Sequence, residues 1–432
     1  MSGRKLLMTF PVTPTSHLLA EVRARGGYQT LQRVLTSMTP EQVTKEVTAA
    51  GILGHGGAAF PVGRKWSVIH LNDSKPHYLC ANADEGEPGT FKDRWILENS
   101  PHQLVESMLI AAYALQVRNA FVYIRGEFDL PYRRLQGAVD EAYEAGLLGE
   151  RLFGTDFSCD LVVYRGAGSY VCGEASGLLS SVEGKRGYPR NRPPRLTVKG
   201  LFQRPTVVNN VETLSNVAGI ITMGAEAFKQ VGVAKSPGTQ LVSISGHINK
   251  PGVYEVEYGY PLKKFLFDDC GGILGGGKLK CIIPGGISTK VLTAEEIEPL
   301  TYDKASLEAA GSQLGSGGMI AIAEGTCMVR LLQVMLRFYH HESCGQCTPC
   351  REGMGWMHRI IDRIVGGKGV PEDIERLYTI SKLNDGTTIC GMGDAAGYAT
   401  VGILNKYRDE FEYFIEHKRS KLSGNLEAPV HA

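Results

Sequence analysis

Cys344, Cys347 and Cys350 stand at three-residue steps in the stretch Ser-Cys-Gly-Gln-Cys-Thr-Pro-Cys-Arg-Glu-Gly at 343–353. A fourth, Cys390, lies downstream in Thr-Ile-Cys-Gly-Met-Gly-Asp at 388–394. A close triplet plus one distant cysteine supplies the four thiolates of a [4Fe–4S] cluster. Two other readings compete with it. Structural zinc is usually held by two separated Cys-x-x-Cys pairs, and the blandest reading is unligated thiols. An iron–sulfur centre moves one electron at a time, so the question for the rest of the chain is where that electron comes from.

At 432 residues the chain has room for two or three domains. Lys and Arg (46) nearly balance Asp and Glu (45), so nothing points to nucleic acid or to an anionic membrane surface. No apolar run approaches the roughly 18 residues needed to cross a bilayer. The basic start is soon broken by Pro11 and Pro14, which makes a poor signal peptide. Ten cysteines in such a chain suggest a reducing compartment and metal binding, not a disulfide framework. The expected location is cytoplasmic.

Residues 16–50 read as mostly helical, with a helix start at Thr39-Pro40-Glu41. Strands expected at 78–81, 121–124 and 161–164 alternate with helices at 104–115, 132–145 and 211–223. That alternation argues an α/β domain with a largely parallel sheet. Strands at 240–246, 252–257, 279–283 and 319–323, with a short helix at 262–267, read as a small α+β domain. From Cys327 onward only helices are expected, at 327–341, 354–365, 371–381 and 395–417, which is a bundle. The divisions are 1–236, 237–326 and 327–432. The tail from Ser420 reads as disordered.

Several glycine-rich loops punctuate the first of these domains. The longest holds Gly54, His55, Gly56, Gly57, Ala58, Ala59, Phe60, Pro61, Val62 and Gly63, followed by Lys65. It formally satisfies G-x-G-x-x-A, but a helix and not a strand precedes it, so the dinucleotide fingerprint fails in context. What remains is bare backbone able to wrap a phosphate or lie on a flat ring. An acidic loop at 82–94 follows a probable strand end, where ligands of open α/β sheets collect. Further glycine stretches at 165–174 and 183–190 lead to Asn209, Asn210 and Thr213 near a helix start. Such loops without a phosphotransfer motif suggest bound redox nucleotides. A hydride donor delivers two electrons and a cluster accepts one, so a flavin between them is required.

The stretches 82–94, 123–127, 184–190, 209–214, 343–353 and 384–394 together resemble the family of NADH-binding, FMN-carrying subunits of respiratory complex I, NADH:quinone oxidoreductase. The resemblance covers nearly the whole chain. It implies a multidomain α/β architecture: a Rossmann-like FMN/NADH domain, a small ubiquitin-like β-grasp domain and a C-terminal four-helix bundle with a [4Fe–4S] cluster. By matched position, FMN would be held by the loop 54–57, Lys65, Asn82, Asp84, Gly173, Glu174, Asn209, Asn210 and Thr213. Glu85 and Glu87 would lie near the nicotinamide and Phe60 near the adenine. The cluster ligands would be Cys344, Cys347, Cys350 and Cys390. No side chain need act as nucleophile or general base, because the flavin carries the chemistry.

The resemblance also implies partners: a [2Fe–2S] thioredoxin-like subunit and a large multi-cluster subunit, through which the chain would sit peripherally on the cytoplasmic face of the inner membrane. The chain departs from the family pattern at several positions. His55 stands for Arg, Ala59 for Gly, Ala175 for the second of a Glu pair, Val68 for Phe, and Arg192 and Arg195 for Lys and Phe. A carboxylate near a ribose repels a 2′-phosphate and an arginine attracts one. The expectation is ordinary use of NADH as donor; the alternatives are a relaxed donor choice in which NADPH is accepted better than in typical relatives, and loss of dinucleotide binding that leaves a flavin relay fed by a partner. Rival readings are a diaphorase subunit of an NAD(P)-linked hydrogenase or formate dehydrogenase, and a non-catalytic polysaccharide- or cobalamin-binding module built on 240–325.

Overall fold

The computed structural model of the chain describes residues 3–69 and 76–422. Past Leu422, the tail expected to be disordered lies outside the described residues.

Residues 19–50 are mostly helical, as their periodicity implies. Short helices α1 (Leu19–Ala24) and α2 (Gln29–Ser37) lead to α3 (Pro40–Ala50). Thr39 and Gln42 form a reciprocal capping box at the start of α3, and Gly51, at φ 71°, ends it in the left-handed conformation. Val43, Val47 and Ala50 lie on one buried face. The glycine loop follows and closes with the short helix α4 (Val62–Trp66).

A four-stranded parallel sheet comes next, formed by β1 (His77–Ala83), β2 (Val117–Ile124), β3 (Asp160–Arg165) and β4 (Thr206–Asn210) in the order β3-β2-β1-β4. Helices α5 (Lys92–Asn99), α6 (Pro101–Ala114) and α7 (Asp129–Glu144) supply the crossovers, and α6 is buried on nearly every side. Helix α8 (Ala175–Val182) lies between β3 and β4 in the chain. Strand β4 escapes the sequence reading. It is five residues long and ends in two asparagines, poor strand formers, and its pairing with β1 supplies what its local sequence lacks. The helix expected over 211–223 is two helices, α9 (Val211–Ser215) and α10 (Val217–Met223). They part at Asn216, whose amide donates to the Glu212 carbonyl at 2.9 Å.

The middle region builds a five-stranded mixed sheet. Its central strands, Thr239–Gly246 and Gly318–Ala323, run parallel; Gly252–Glu257 flanks the first and Leu279–Ile283 the second, both antiparallel. Leu292–Thr293 adds the edge beyond Leu279–Ile283. The helix expected over 262–267 is present, an α-helical turn at Leu262–Lys264 continuing directly into a wider π-helical turn at Phe265–Asp269. The N-terminal segment is tied to this sheet: the Glu255 carboxylate accepts the backbone N–H groups of Leu6 and Met8 at 2.5 and 2.7 Å.

Helices Met328–Glu342, Thr348–Arg363, Glu372–Asn384 and Met392–His417 complete the described chain. The second starts six residues before its expected position, at 348 rather than 354, because Pro349 suits a first helical turn. Cys350 therefore sits inside the helix, not in a loop. A buried Lys280–Glu410 ion pair joins this bundle to the middle sheet, and Glu410 also accepts the Met328 N–H at 2.9 Å. Among the described residues no helix is long and apolar enough to cross a membrane.

Candidate functional site

Two neighbouring strands end side by side and set the first half of the site. In the β1–β4 ladder Ala81 pairs with Asn209 and Asn82 with Asn210. Ligands of open parallel sheets gather at such carboxyl ends. Asn82 donates to the Gly173 carbonyl at 2.8 Å and accepts the Asp84 N–H at 3.0 Å. Asn209 is fixed from below by the Trp66 indole N–H, 3.1 Å from its Oδ1. Asn210 caps α9, its Oδ1 accepting the Thr213 N–H at 3.3 Å.

The glycine loop folds over these strand ends. The His55 N–H donates to Thr213 Oγ1 at 2.8 Å, which pins the loop to α9. A Cβ on Gly56 would come within 3.2 Å of the Asn210 Cβ, whereas one on Gly57 would meet no protein atom within 4 Å. Gly57, at φ 112°, thus presents bare backbone to open space. Ala59 holds the left-handed conformation, at φ 46°, that a glycine would take without strain. Phe60 and Pro61 are exposed, while Val62 and Gly63 are buried; Ala58 is also exposed. Lys65 donates to the Val208 carbonyl at 2.7 Å; burial and the nearby Arg192 charge push its ammonium down to about 8.

The acidic loop is spoken for by the protein itself. Glu85 is 6% exposed and caps α5, accepting the N–H groups of Lys92, Asp93 and Arg94 at 2.8, 2.9 and 3.2 Å. Glu87 joins three regions. Its carboxylate accepts the Tyr170 hydroxyl at 2.6 Å and the Ser288 N–H and hydroxyl at 2.8 and 2.9 Å, and Ser288 in turn contacts the Tyr339 hydroxyl at 3.3 Å. Asp84 is the more available acid; burial pushes it up to about 7 against the pull of Arg125. The structure thus gives Glu85 and Glu87 structural partners that the sequence did not announce.

Glu174 closes the cradle on the bundle side. It caps α8, accepting the Ser176 and Gly177 N–H groups at 2.8 and 3.0 Å, and takes Arg192 Nη2 at 2.6 Å on its other oxygen. Ala175 is half-buried; Arg195 and Val68 are exposed. Glu174, Asn191 and Arg192 face residues 386–391 across an open cleft of about 480 Å³ that reaches Cys390.

The four cysteines nominated from the sequence come together at this end of the bundle. Cys350 lies within electrostatic reach of Cys344 and Cys347, and Cys390 of Cys344 and Cys350. Burial pushes the Cys390 thiol up to about 11 and that of Cys350 upward. Gathered thiols of this kind give up their protons to a cationic metal centre, which supplies the missing positive charge. The Ile389 N–H donates to Cys347 Sγ at 3.3 Å, and the Ser343 hydroxyl lies 3.2 Å from Cys350 Sγ, where it can donate once that thiol is deprotonated. Among the described residues no three His, Cys, Asp or Glu side chains converge as a single ion would require. A cubane, with one thiolate on each iron, asks for a wider ring than zinc does. The donor set fits a [4Fe–4S] cluster. Cys344 and Cys390 also pack against the apolar cluster that includes Val171, Cys172, Leu178 and Leu179, and Cys390 lines one cleft with Glu174, so the tetrathiol site abuts the cradle.

Sequence reasoning missed Trp66, Arg125, Tyr170, Lys92 and Ser288. Trp66 stands beside the nominated Lys65 and could have been found there. Ser288 reaches the site from another region and carries no local signal.

Residues 47–219 match the Nuo51 FMN-binding domain, 240–320 an SLBB domain, and 330–414 the NADH-ubiquinone oxidoreductase-F iron-sulfur binding region. A flavin-binding domain joined to a tetrathiol iron–sulfur domain defines a redox subunit of the electron-transport class. The chain is 45% identical to an NADH-quinone oxidoreductase F-type subunit of Rhizobium meliloti (strain 1021), covering 94% of this chain and 96% of that one. It is 47% identical to the corresponding NADH-quinone oxidoreductase subunit of Mycobacterium bovis (90% and 88% covered), and 43% identical to the mitochondrial NADH dehydrogenase [ubiquinone] flavoprotein 1 of Dictyostelium discoideum (90% and 82%). The chain belongs to the family of F-type subunits of NADH-quinone oxidoreductases. Among solved structures it resembles an NAD+-reducing [NiFe]-hydrogenase in the H2-reduced state, with TM-score 0.81 and 31% identity, over 95% of this chain and 66% of that one.

Proposed function

We propose that this chain is the electron-input subunit of an NADH:quinone oxidoreductase, taking hydride from NADH and releasing electrons singly through its tetrathiol site. FMN, when bound, supplies the conversion between two-electron and one-electron chemistry. The residues of the chain orient and screen. The observation that carries the reading is the packing of Cys344 and Cys390 against the apolar cluster that includes Val171, Cys172, Leu178 and Leu179, with Cys390 and Glu174 in one cleft, which puts the one-electron site beside the two-electron site.

In this reading Gly54, Gly56 and Gly57 offer backbone to the flavin, and Lys65, Asn82, Asp84, Gly173, Glu174, Asn209, Asn210 and Thr213 surround it. The dinucleotide lies over the rim at Phe60, Ala175, Arg192 and Arg195. Cys344, Cys347, Cys350 and Cys390 hold the [4Fe–4S] cluster. The middle sheet has its first and last long strands central and parallel, the β-grasp order, and it belongs to 237–326; the flavin domain is 1–236 and the four-helix domain 327–432. Partners are a [2Fe–2S] thioredoxin-like subunit and a multi-cluster subunit, with the assembly on the cytoplasmic face of the inner membrane.

Anaerobic titration of the purified protein with NADH tests this. Flavin absorbance bleaches at stoichiometric NADH and a cluster EPR signal grows in. A protein without flavin or iron sinks the reading. Co-purification with a hydrogenase subunit would move it to the diaphorase alternative suggested by the solved neighbour.

One observation favours a second donor. Arg192 neutralises Glu174, the carboxylate nearest the rim, at 2.6 Å. NADPH is therefore oxidised better than by a site with an unpaired carboxylate there.

A further inference from the structure

Beneath the cradle lies a group of buried charges that the reading above does not use. Lys92 is 1% exposed, and its ammonium stands 2.8 Å from Asp93 Oδ1 and 2.6 Å from Glu212 Oε2. Glu212 is fully buried on α9, and its Oε1 accepts the Leu241 N–H at 2.7 Å. Glu85 belongs to the same group through the Lys92 and Asp93 N–H bonds given above. Two carboxylates therefore share one ammonium, and the Glu85 charge also acts on it from close by.

The histidine and tyrosine neighbours bring no positive charge. His55 Nε2 donates to the Thr239 carbonyl at 3.2 Å and lies 4.0 Å from Glu212, but burial pushes the imidazole down to about 3, so it stays neutral. Tyr258 and Tyr302 face Glu212 and are held neutral by burial and its charge. Arg125 favours the ionised form of Asp84 but donates its own guanidinium to the Glu85 carbonyl and to Glu127. Burial pushes Glu212 up to about 8 and Glu85 up to about 7, with the Asp93 charge adding to the rise and the Lys92 charge opposing it, so the group carries its surplus negative charge once Glu212 ionises.

This charge is wired to the cradle. Asp93 Oδ2 accepts the Asn210 amide at 2.5 Å, Glu212 adjoins Thr213 on α9, and His55 belongs to the glycine loop. Charges act over longer distances in such a dry interior than in water.

We propose that Glu212 is a positioning residue that sets the reduction potential of FMN bound in the cradle: the surplus negative charge of the Glu212–Lys92–Asp93 group opposes negative charge arriving on the cofactor. The proposal rests on the FMN reading. Lys92 holds the two carboxylates in place, so the group raises the cost of charging the cofactor without displacing it.

The experiment is a spectroelectrochemical titration of flavin in the purified holoprotein and in Glu212→Gln, Asp93→Asn and Glu212→Asp, run above about pH 8 so that Glu212 is ionised. Removing one negative charge by either of the first two raises the flavin midpoint potential, while Glu212→Asp, which keeps the charge, leaves it at the wild-type value. Flavin content is measured in each sample. Wild-type protein lacking flavin refutes the FMN reading, and this proposal with it. Flavin bound at an unchanged potential in a charge-removing variant refutes this proposal alone. Should both charge-removing variants lose flavin while Glu212→Asp keeps it, the charge retains the cofactor instead of opposing it, and the proposal also falls.

Discussion

Arg192 Nη2 lies 2.6 Å from Glu174 Oε1 while Glu174 Oε2 accepts two backbone N–H groups at the start of α8. One carboxylate thus serves as helix cap and as counter-ion, at the edge between the flavin cradle and the cluster domain. Removing the guanidinium leaves the cap intact and bares its charge to the rim. Arg192→Gln is expected to lower the NADPH to NADH ratio of kcat/KM about tenfold, since a charge-assisted hydrogen bond is worth about 1.5–3 kcal/mol and this one is half exposed. Steady-state kinetics with both nucleotides decides it; an unchanged ratio removes Arg192 from donor selection.

Gly57 and Gly63 separate binding from folding. Adding a Cβ at Gly57 meets no protein atom, but at φ 112° the backbone resists it and the methyl points into open space. Gly57→Ala should lose flavin while the fold is retained, with a stability cost of about 1 kcal/mol. At Gly63 a Cβ would fall 2.5 Å from the Thr48 Cα, so Gly63→Ala should lower the melting temperature sharply. Flavin content and thermal unfolding, measured on both, distinguish the two effects.

The four cluster thiols should behave as a unit. Replacing Cys347 or Cys390 by Ser is expected to remove the cluster's EPR signal and most of the bound iron, with flavin still reducible by NADH. Cys327→Ser, outside the group, leaves iron content unchanged. Iron retained at wild-type level in both Cys347→Ser and Cys390→Ser counts against the ligand set.

Stability should fall as pH rises through neutrality. Glu85 is pushed from 4.5 up to about 7 and Glu212 from 4.5 up to about 8, both by burial. The folded chain therefore binds more protons than the unfolded chain across that window. Their contribution is complete below about pH 4.5 and is lost as pH climbs through 7 to 8. In Glu85→Gln, which cannot ionise, the melting temperature relative to wild type should rise between about pH 5 and 8.5, by the equivalent of about 1–3 kcal/mol. A constant difference across that range removes Glu85 from the pH response.

Much of this molecule was legible residue by residue. Thr39, Gln42 and Gly51 mark both ends of α3 by rules that need no tertiary context, and the alternating apolar runs place β1, β2 and β3. The spacing of Cys344, Cys347 and Cys350 names its chemistry because thiolate ligation depends on local loop geometry. Strand β4 was not legible, since Thr206–Asn210 becomes a strand only by pairing with β1. Nor could composition tell that Glu85 and Glu87, placed near the nicotinamide by resemblance, spend their oxygens on the start of α5 and on Tyr170 and Ser288.

The sequence by itself determined the redox class, the four thiols and the glycine-bearing loop, because these depend on residue type and short spacing. Tertiary structure alone decided that Cys390 faces Glu174 and Arg192, that Asn82 lies beside Asn210, and that Lys92 is buried between Asp93 and Glu212. Those relations join residues far apart in the chain. Burial then fixes what their charges do, by removing the water that would otherwise screen them.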